Sequence, residues 1–364
     1  MKRKILTVTV LTLIFVLLFP TVSLASEAED GLWRDYLEVI PWAEGGETPD
    51  DVLSSVGFDA LIREIGAGIA EGISPAASFF LLVMALSALI AMADAACPVE
   101  LGDKRGTSAA LSVIASAVLL INMRGAVLAV KEGLKELSAL LSGLVPVLSG
   151  ILAAGGCAES AAMQGVNMSI TLGIISFLES ELIMPLVSSL FCLSAASGLD
   201  SGGVSKIARS VKSFFIFLSG LVTAVLAAAI SMQSLITRTK DSAYLAAARY
   251  AASGMIPMVG GTVSSALSTL GGGLSVLKGA VGAGSIMAII GFAMTPLVML
   301  LLYKLSLGIS ISLLEGSGVR SGGVRAFSAL KGALDALIAV YSMSATVAIF
   351  EIVVFLKCGV DAFG

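Results

Sequence analysis

The stretch Ser285–Leu314, SIMAIIGFAMTPLVMLLLYKLSLGISISLL, carries one charged side chain, Lys304, in thirty residues. A helix of about 20 apolar residues spans the ~30 Å hydrocarbon core of a bilayer, and a nearly uncharged run of this length has no stable place in water. Comparable runs recur on both sides of it. They mark spans at about 76–93, 107–123, 137–155, 161–178, 182–198, 213–236, 255–277, 281–295, 296–314 and 333–356. Several are shorter than a full crossing needs, so tilted or re-entrant pairs bring the expected number of crossings to between seven and ten. The rest of the chain agrees. Of 364 residues, 57% are hydrophobic and 13% charged, and the mean hydropathy is +1.00. Soluble domains carry about 25% charged residues. The expected fold is all-α, a polytopic integral membrane helical bundle.

Composition also narrows the chemistry. The chain has no histidine, which removes the commonest general base, the histidine-dependent nucleophile systems and every histidine metal site. Its four cysteines, Cys97, Cys157, Cys192 and Cys358, form no CxxC pair and read as small apolar packing residues. No Gly-x-x-x-x-Gly-Lys phosphate loop occurs, so the chain is not itself an ATPase. No enzyme activity, cofactor or metal is expected.

Charge is distributed unevenly along the chain. Residues 1–25 have the form of a cleavable signal: Lys2-Arg3-Lys4, an apolar core from Ile5 to Leu18, then Ser23-Leu24-Ala25, with cutting between Ala25 and Ser26. Residues 26–72 then hold twelve acids and two bases, a net charge of −10, against −4 for the whole chain. An acidic exported segment on a mildly basic membrane body argues against nucleic acid as a partner. Trp33 and Trp42 lie in this segment, and Thr48-Pro49-Asp50-Asp51 has the form of a helix start. Leu53, Val56, Leu61, Ile65 and Ile69 continue it as an amphipathic helix.

The membrane domain, 73–364, reads as a repeat. Pro75, Pro185 and Pro296 each open an apolar helix at intervals of 110 and 111 residues, and Pro146 and Pro257 are also 111 apart. Polar glycine turns follow the opening helices: Leu101–Gly106, Ser201–Val204 and Ser321–Val324. The units run at about 75–184, 185–295 and 296–364, the last truncated. Same-sense order and an even number of crossings per unit imply parallel units. Gly260-Gly261, just after Pro257, marks a candidate broken helix.

A cleaved signal puts the glycine turns in the cytoplasm, with Lys104 and Arg105, then Lys206, Arg209 and Lys212, then Arg320, Arg325 and Lys331 as cytoplasmic basic groups. The opposite side holds Arg124, Lys131, Lys135, Arg238, Lys240, Arg249 and Lys357, the first three with Glu132 and Glu136 in interfacial amphipathic helices. Within the spans, Lys304 and Glu351 are the costly charges, and they are expected to pair across helices. Glu179, Glu181, Glu159 and Asn167 read as exposed turn or flanking positions.

Several short motifs occur in order: Leu144-Val145-Pro146, Gly155-Gly156, Pro185-Leu186, Lys206-Ile207-Ala208, Ser231-Met232-Gln233, Ile256–Gly260, Lys278–Gly282 and Tyr303-Lys304-Leu305. Their order across about 290 residues resembles the stage III sporulation protein AE family. Gly279 departs from the asparagine that the family pattern places after the lysine. The resemblance implies a multi-pass protein of the mother-cell membrane around the forespore. It implies a subunit of a channel, similar in part to secretion systems, that joins the two cells. Partners would be other stage III membrane proteins, a forespore-side stage II protein and a separate ATPase subunit. A stand-alone permease-like transporter and a non-conducting scaffold are the alternative readings.

Overall fold

Nine of the ten apolar runs fall within six helices, most of them very long. The computed structural model describes residues 58–96, 104–155, 157–178, 203–255, 260–317 and 322–357, with Tyr36, Leu37 and isolated positions between 181 and 196. Among these residues there are six long helices: α1 Phe58–Ala96, α2 Lys104–Ala154, α3 Ala158–Phe177, α4 Gly203–Met255, α5 Gly260–Gly316 and α6 Gly322–Lys357. No strand occurs among the described residues. Five of the helices, all but α3, are long and apolar enough to cross a membrane. The all-helical, multi-pass architecture is therefore the observed one.

The expected boundaries need correction at three places. Runs 107–123 and 137–155 are one helix, the 51-residue α2. Its buried seam steps by fours and threes from Leu119 through Met123, Ala126, Val130, Gly133 and Leu137 to Ile151, a heptad rhythm of coiled-coil type. Arg124, Glu132, Lys135 and Glu136 are exposed. They ride on the outer face of that helix without interrupting it. At 1.5 Å per residue α2 is about 76 Å long, well over twice the hydrocarbon thickness.

Nor do Pro75 and Pro296 open helices: each lies inside one, in α1 and α5 respectively. The amphipathic stretch before residue 72 is thus continuous with the first span from Phe58 onward. Around Pro296 the structure explains the continuity. Proline has no N–H, so the carbonyl four residues earlier, that of Phe292, loses its helical donor. The Tyr341 hydroxyl of α6 donates to the Phe292 carbonyl oxygen at 3.0 Å instead. Gly133 of α2 makes room for this arrangement. A Cβ there would lie 2.5 Å from the Tyr341 hydroxyl oxygen and 3.0 Å from Pro296 Cγ. Replacement of a lost backbone bond by a neighbouring helix is how lipid-embedded helices tolerate proline.

The helices that carry Pro75 and Pro296 lie side by side and run the same way. Gly68 meets Met294 and Thr295, Gly72 meets Val298 and Met299, Phe79 stacks on Tyr303 at 4.0 Å, and Ser310 reaches Met84. Gly68 and Gly72 form a small-xxx-small seat that brings the two backbones close. Two consecutive pairs are antiparallel hairpins, α2 with α3 and α5 with α6. In α2 and α3, Ser138 meets Ser176 and Ser149 meets Gly165, and backbone bonds at Gly155 and Cys157 close the turn. In α5 and α6, Lys304 lies level with Asp335, and Gly282 with Leu356.

Helix α6 touches α2, α3, α4 and α5 and forms the centre, with about two thirds of its apolar span buried. Helix α4 is peripheral, with 6% of its apolar span buried. From the N-terminal segment, Tyr36 is buried against Ser285 of α5 and Leu37 packs on the core. Burial raises the Tyr36 phenol above its ordinary range, and the Ser285 contact opposes that shift.

Candidate functional site

Two polar centres lie between these helices. The first joins α4, α5 and α6. Lys212 of α4 donates to Asp335 Oδ2, and the Lys304 ammonium of α5 lies 2.6 Å from Asp335 Oδ1. One carboxylate of the central helix thus holds an ammonium from each of two neighbours. The side chains are 27%, 34% and 18% exposed for Lys212, Lys304 and Asp335, so the group is neither fully solvated nor sealed. Lys331, one turn before Asp335, brings its Nζ within 3.0 Å of where a Gly308 Cβ would sit. Gly332 likewise leaves the space that the Lys212 chain fills, 3.2 Å from its Cδ. Two glycines therefore seat two lysine chains.

The second centre lies deeper, between α3 and α6. On α3, Ser160, Gln164, Asn167 and Thr171 recur at one helical face, and all four are buried. Thr171 Oγ1 donates to Glu351 Oε1 at 2.8 Å, and Glu351 is 0% exposed. Glu351 Oε2 and Gln164 Nε2 have no hydrogen-bond partner among the described residues. One turn on from Glu351, the Lys278 ammonium of α5 lies 5.4 Å from the centre of the Phe355 ring. A buried carboxylate flanked by a file of hydroxyls and amides is an unusual content for a membrane bundle, where polar groups cost most.

The expected Lys304–Glu351 pair is not formed: each has another partner, Asp335 and Thr171 respectively. The reason is axial distance. Asp335 and Glu351 are sixteen residues apart on α6, about 24 Å. The antiparallel α5 brings Lys304 level with the first and far from the second. Asp335 was the missed residue, and its signal was present. Lys304 lies twelve residues before the end of α5 and Asp335 thirteen after the start of α6, so a hairpin places them opposite each other. Asn167 is a buried position of the α3 file, not an exposed flank. The four-three-four spacing of Ser160, Gln164, Asn167 and Thr171 carried that information.

Other expected positions are dispersed. Lys206 and Arg209 are exposed near the start of α4, and Arg325 is partly exposed near the start of α6. Lys104 and Arg105 begin α2 rather than lying in a turn. Pro146 is exposed within α2, Pro185 is a helical and exposed position, and Gly260 and Gly261 begin α5. Ala25, Ser26, Pro257 and Arg320 lie outside the described residues. Among the described residues no group of three metal-ligating side chains converges. At Gly279 a Cβ meets nothing within 4 Å.

The family model described as stage III sporulation protein AE matches residues 58–360, which includes both polar centres and all six helices. No curated protein and no solved structure matches the chain.

Proposed function

Because the chain belongs to the stage III sporulation protein AE family and is a multi-pass sporulation membrane protein, we propose that it is the integral membrane subunit of a channel joining mother cell and forespore. The observation that carries this reading is the family match over residues 58–360, laid on a bundle of membrane-length helices. In this reading the protein resides in the mother-cell membrane around the forespore. Residues 1–25 direct export and are removed after Ala25, and the acidic segment from Ser26 up to the first span at Ile65 faces the space between the two membranes. The long helices build the membrane domain, and the basic ends at Lys104, Lys206 and Arg325 face the cytoplasm. Its partners are other stage III membrane proteins, a forespore-side stage II protein and an ATPase subunit. It holds no cofactor and catalyses no reaction of its own.

Crosslinking and capture of the tagged protein from sporulating cells after engulfment tests this. Recovery together with other stage III and stage II membrane proteins is the expected result. Recovery alone, at normal abundance, overturns it.

A second reading, a stand-alone permease, is favoured by one observation. The buried file on α3 ending at Glu351 supplies the polar lining that a transport route requires. Solute flux in liposomes containing only this protein, abolished by Thr171→Val, would support that reading over the channel subunit.

A further inference from the structure

We propose that Lys212 and Lys304, which meet at Asp335, together with Lys331 one turn before it on α6, form a binding site for the phosphate group of an anionic lipid. The first argument is charge. Asp335 is ion-paired with Lys212 and Lys304, and Lys331 lies one turn before it. Three ammonium groups against one carboxylate leave a surplus of two positive charges between membrane helices, where an uncompensated charge is expensive. A lipid phosphodiester, a monoanion that accepts from two ammoniums at once, halves that surplus.

The second argument is construction. Asp335 fixes the ammoniums of α4 and α5 at a common point on α6. Gly308 and Gly332 leave room for the Lys331 and Lys212 chains to lie against the neighbouring helix; a Cβ at either position would crowd them at 3.0 and 3.2 Å. Two ammoniums thus meet at Asp335, and the third, that of Lys331, lies at Gly308, one helical turn along α5 from Lys304, so the three come from three helices within about a turn of one another.

The third argument is location. Lys212 and Lys331 each lie nine residues from the start of their helices, at Gly203 and Gly322, and Lys304 twelve from the end of α5 at Gly316. These are depths of about 13–18 Å from helix ends that belong to helices far longer than the hydrocarbon core. On the peripheral α4, Phe214 and Phe217 are 59% and 66% exposed, about 160° and 140° around the helix from Lys212. Aromatics on the outer face of α4 suit acyl chains, while the Lys212 stem on the inner face carries its ammonium to the headgroup position at Asp335. The inference does not depend on whether the chain is part of a channel.

The test uses the full-length protein in nanodiscs. Thermal stability is compared in phosphatidylcholine alone and with increasing phosphatidylglycerol, with inorganic phosphate added to phosphatidylcholine discs as a separate arm. Stabilisation that saturates with phosphatidylglycerol is expected. Lys331→Gln, which leaves both Asp335 bridges in place, should weaken the apparent affinity about fivefold, while Lys331→Arg and the exposed Lys135→Gln should not. Equal stability in both lipids overturns the proposal, as does a Lys331→Gln response like that of Lys135→Gln. Saturable stabilisation by inorganic phosphate alone would assign the site to free phosphate and overturn the lipid as its source.

Discussion

The node at Pro296 allows a quantitative prediction. Tyr341→Phe removes the hydroxyl that donates to the Phe292 carbonyl and leaves the rest of the ring in place. That carbonyl has no helical donor because residue 296 is proline. Interhelical hydrogen bonds in membrane proteins average about 0.6 kcal/mol and reach about 1.7. An acceptor with no second donor belongs at the upper end, so the single substitution should cost about 1–1.5 kcal/mol. Pro296→Ala restores an N–H at the right place for Phe292. In that background the phenol is redundant, and Tyr341→Phe should cost less than about 0.5 kcal/mol, a coupling of about 1 kcal/mol between the two sites. Reversible unfolding in mixed micelles, on the four proteins of the cycle, measures it. An equal cost of Tyr341→Phe in both backgrounds would refute the reasoning, because the hydroxyl would then be serving something other than the proline gap.

Four further outcomes follow from the same contacts. Gly133→Ala drives a methyl against the Tyr341 hydroxyl and the Pro296 ring and should destabilise by about 1–3 kcal/mol in the same unfolding assay. Gly72→Leu, placed against Val298 and the Met299 backbone, should separate α1 from α5, read as loss of a disulfide between cysteines introduced at Phe79 and Tyr303. Asp335→Ala should lower protein level more than Lys212→Gln or Lys304→Gln, since it strands two ammoniums at once; the exchange Lys304→Asp with Asp335→Lys should recover part of the loss, and Lys304→Glu with Glu351→Lys none. Thr171→Val should reduce stability by about 1–2 kcal/mol, while Glu351→Gln, whose amide oxygen still accepts from Thr171, should cost less.

How much of this was readable from residues alone differs by level. The class was plain in Ser285–Leu314, because lipid admits few structures and an uncharged run of that length has one use. Helix ends were not. Proline is a reliable stop in water, where the freed carbonyl and the broken helix are both solvated. Pro296 continues its helix because a tyrosine forty-five residues later supplies the missing donor, information that no local window contains. The charged stretch from Arg124 to Glu136 looked like an interface for a similar reason: its acids and bases mark an outer face, but the heptad seam beneath them carries the helix straight on. Of the polar centres, the Lys304–Asp335 bridge follows from counting outward along a hairpin, whereas Lys212 comes from a helix whose approach to α6 has no such register. Glu351 was legible as a costly residue. Its partner was not, because a lone threonine at the right height is one candidate among many.

The seat made by Gly68 and Gly72 sets an order of events during synthesis. Helix α1 finds its partner in a segment 226 residues later, as the contact between Met84 and Ser310 illustrates. At about 5–20 residues per second a ribosome needs roughly 10–45 s to make that distance. Throughout this interval the close-packing face of the first span is inserted but unmatched, so it either meets lipid, an insertion factor or a wrong helix. The protein's earliest vulnerability is thus temporal rather than energetic, and slowing translation before α5 should trap material at that stage.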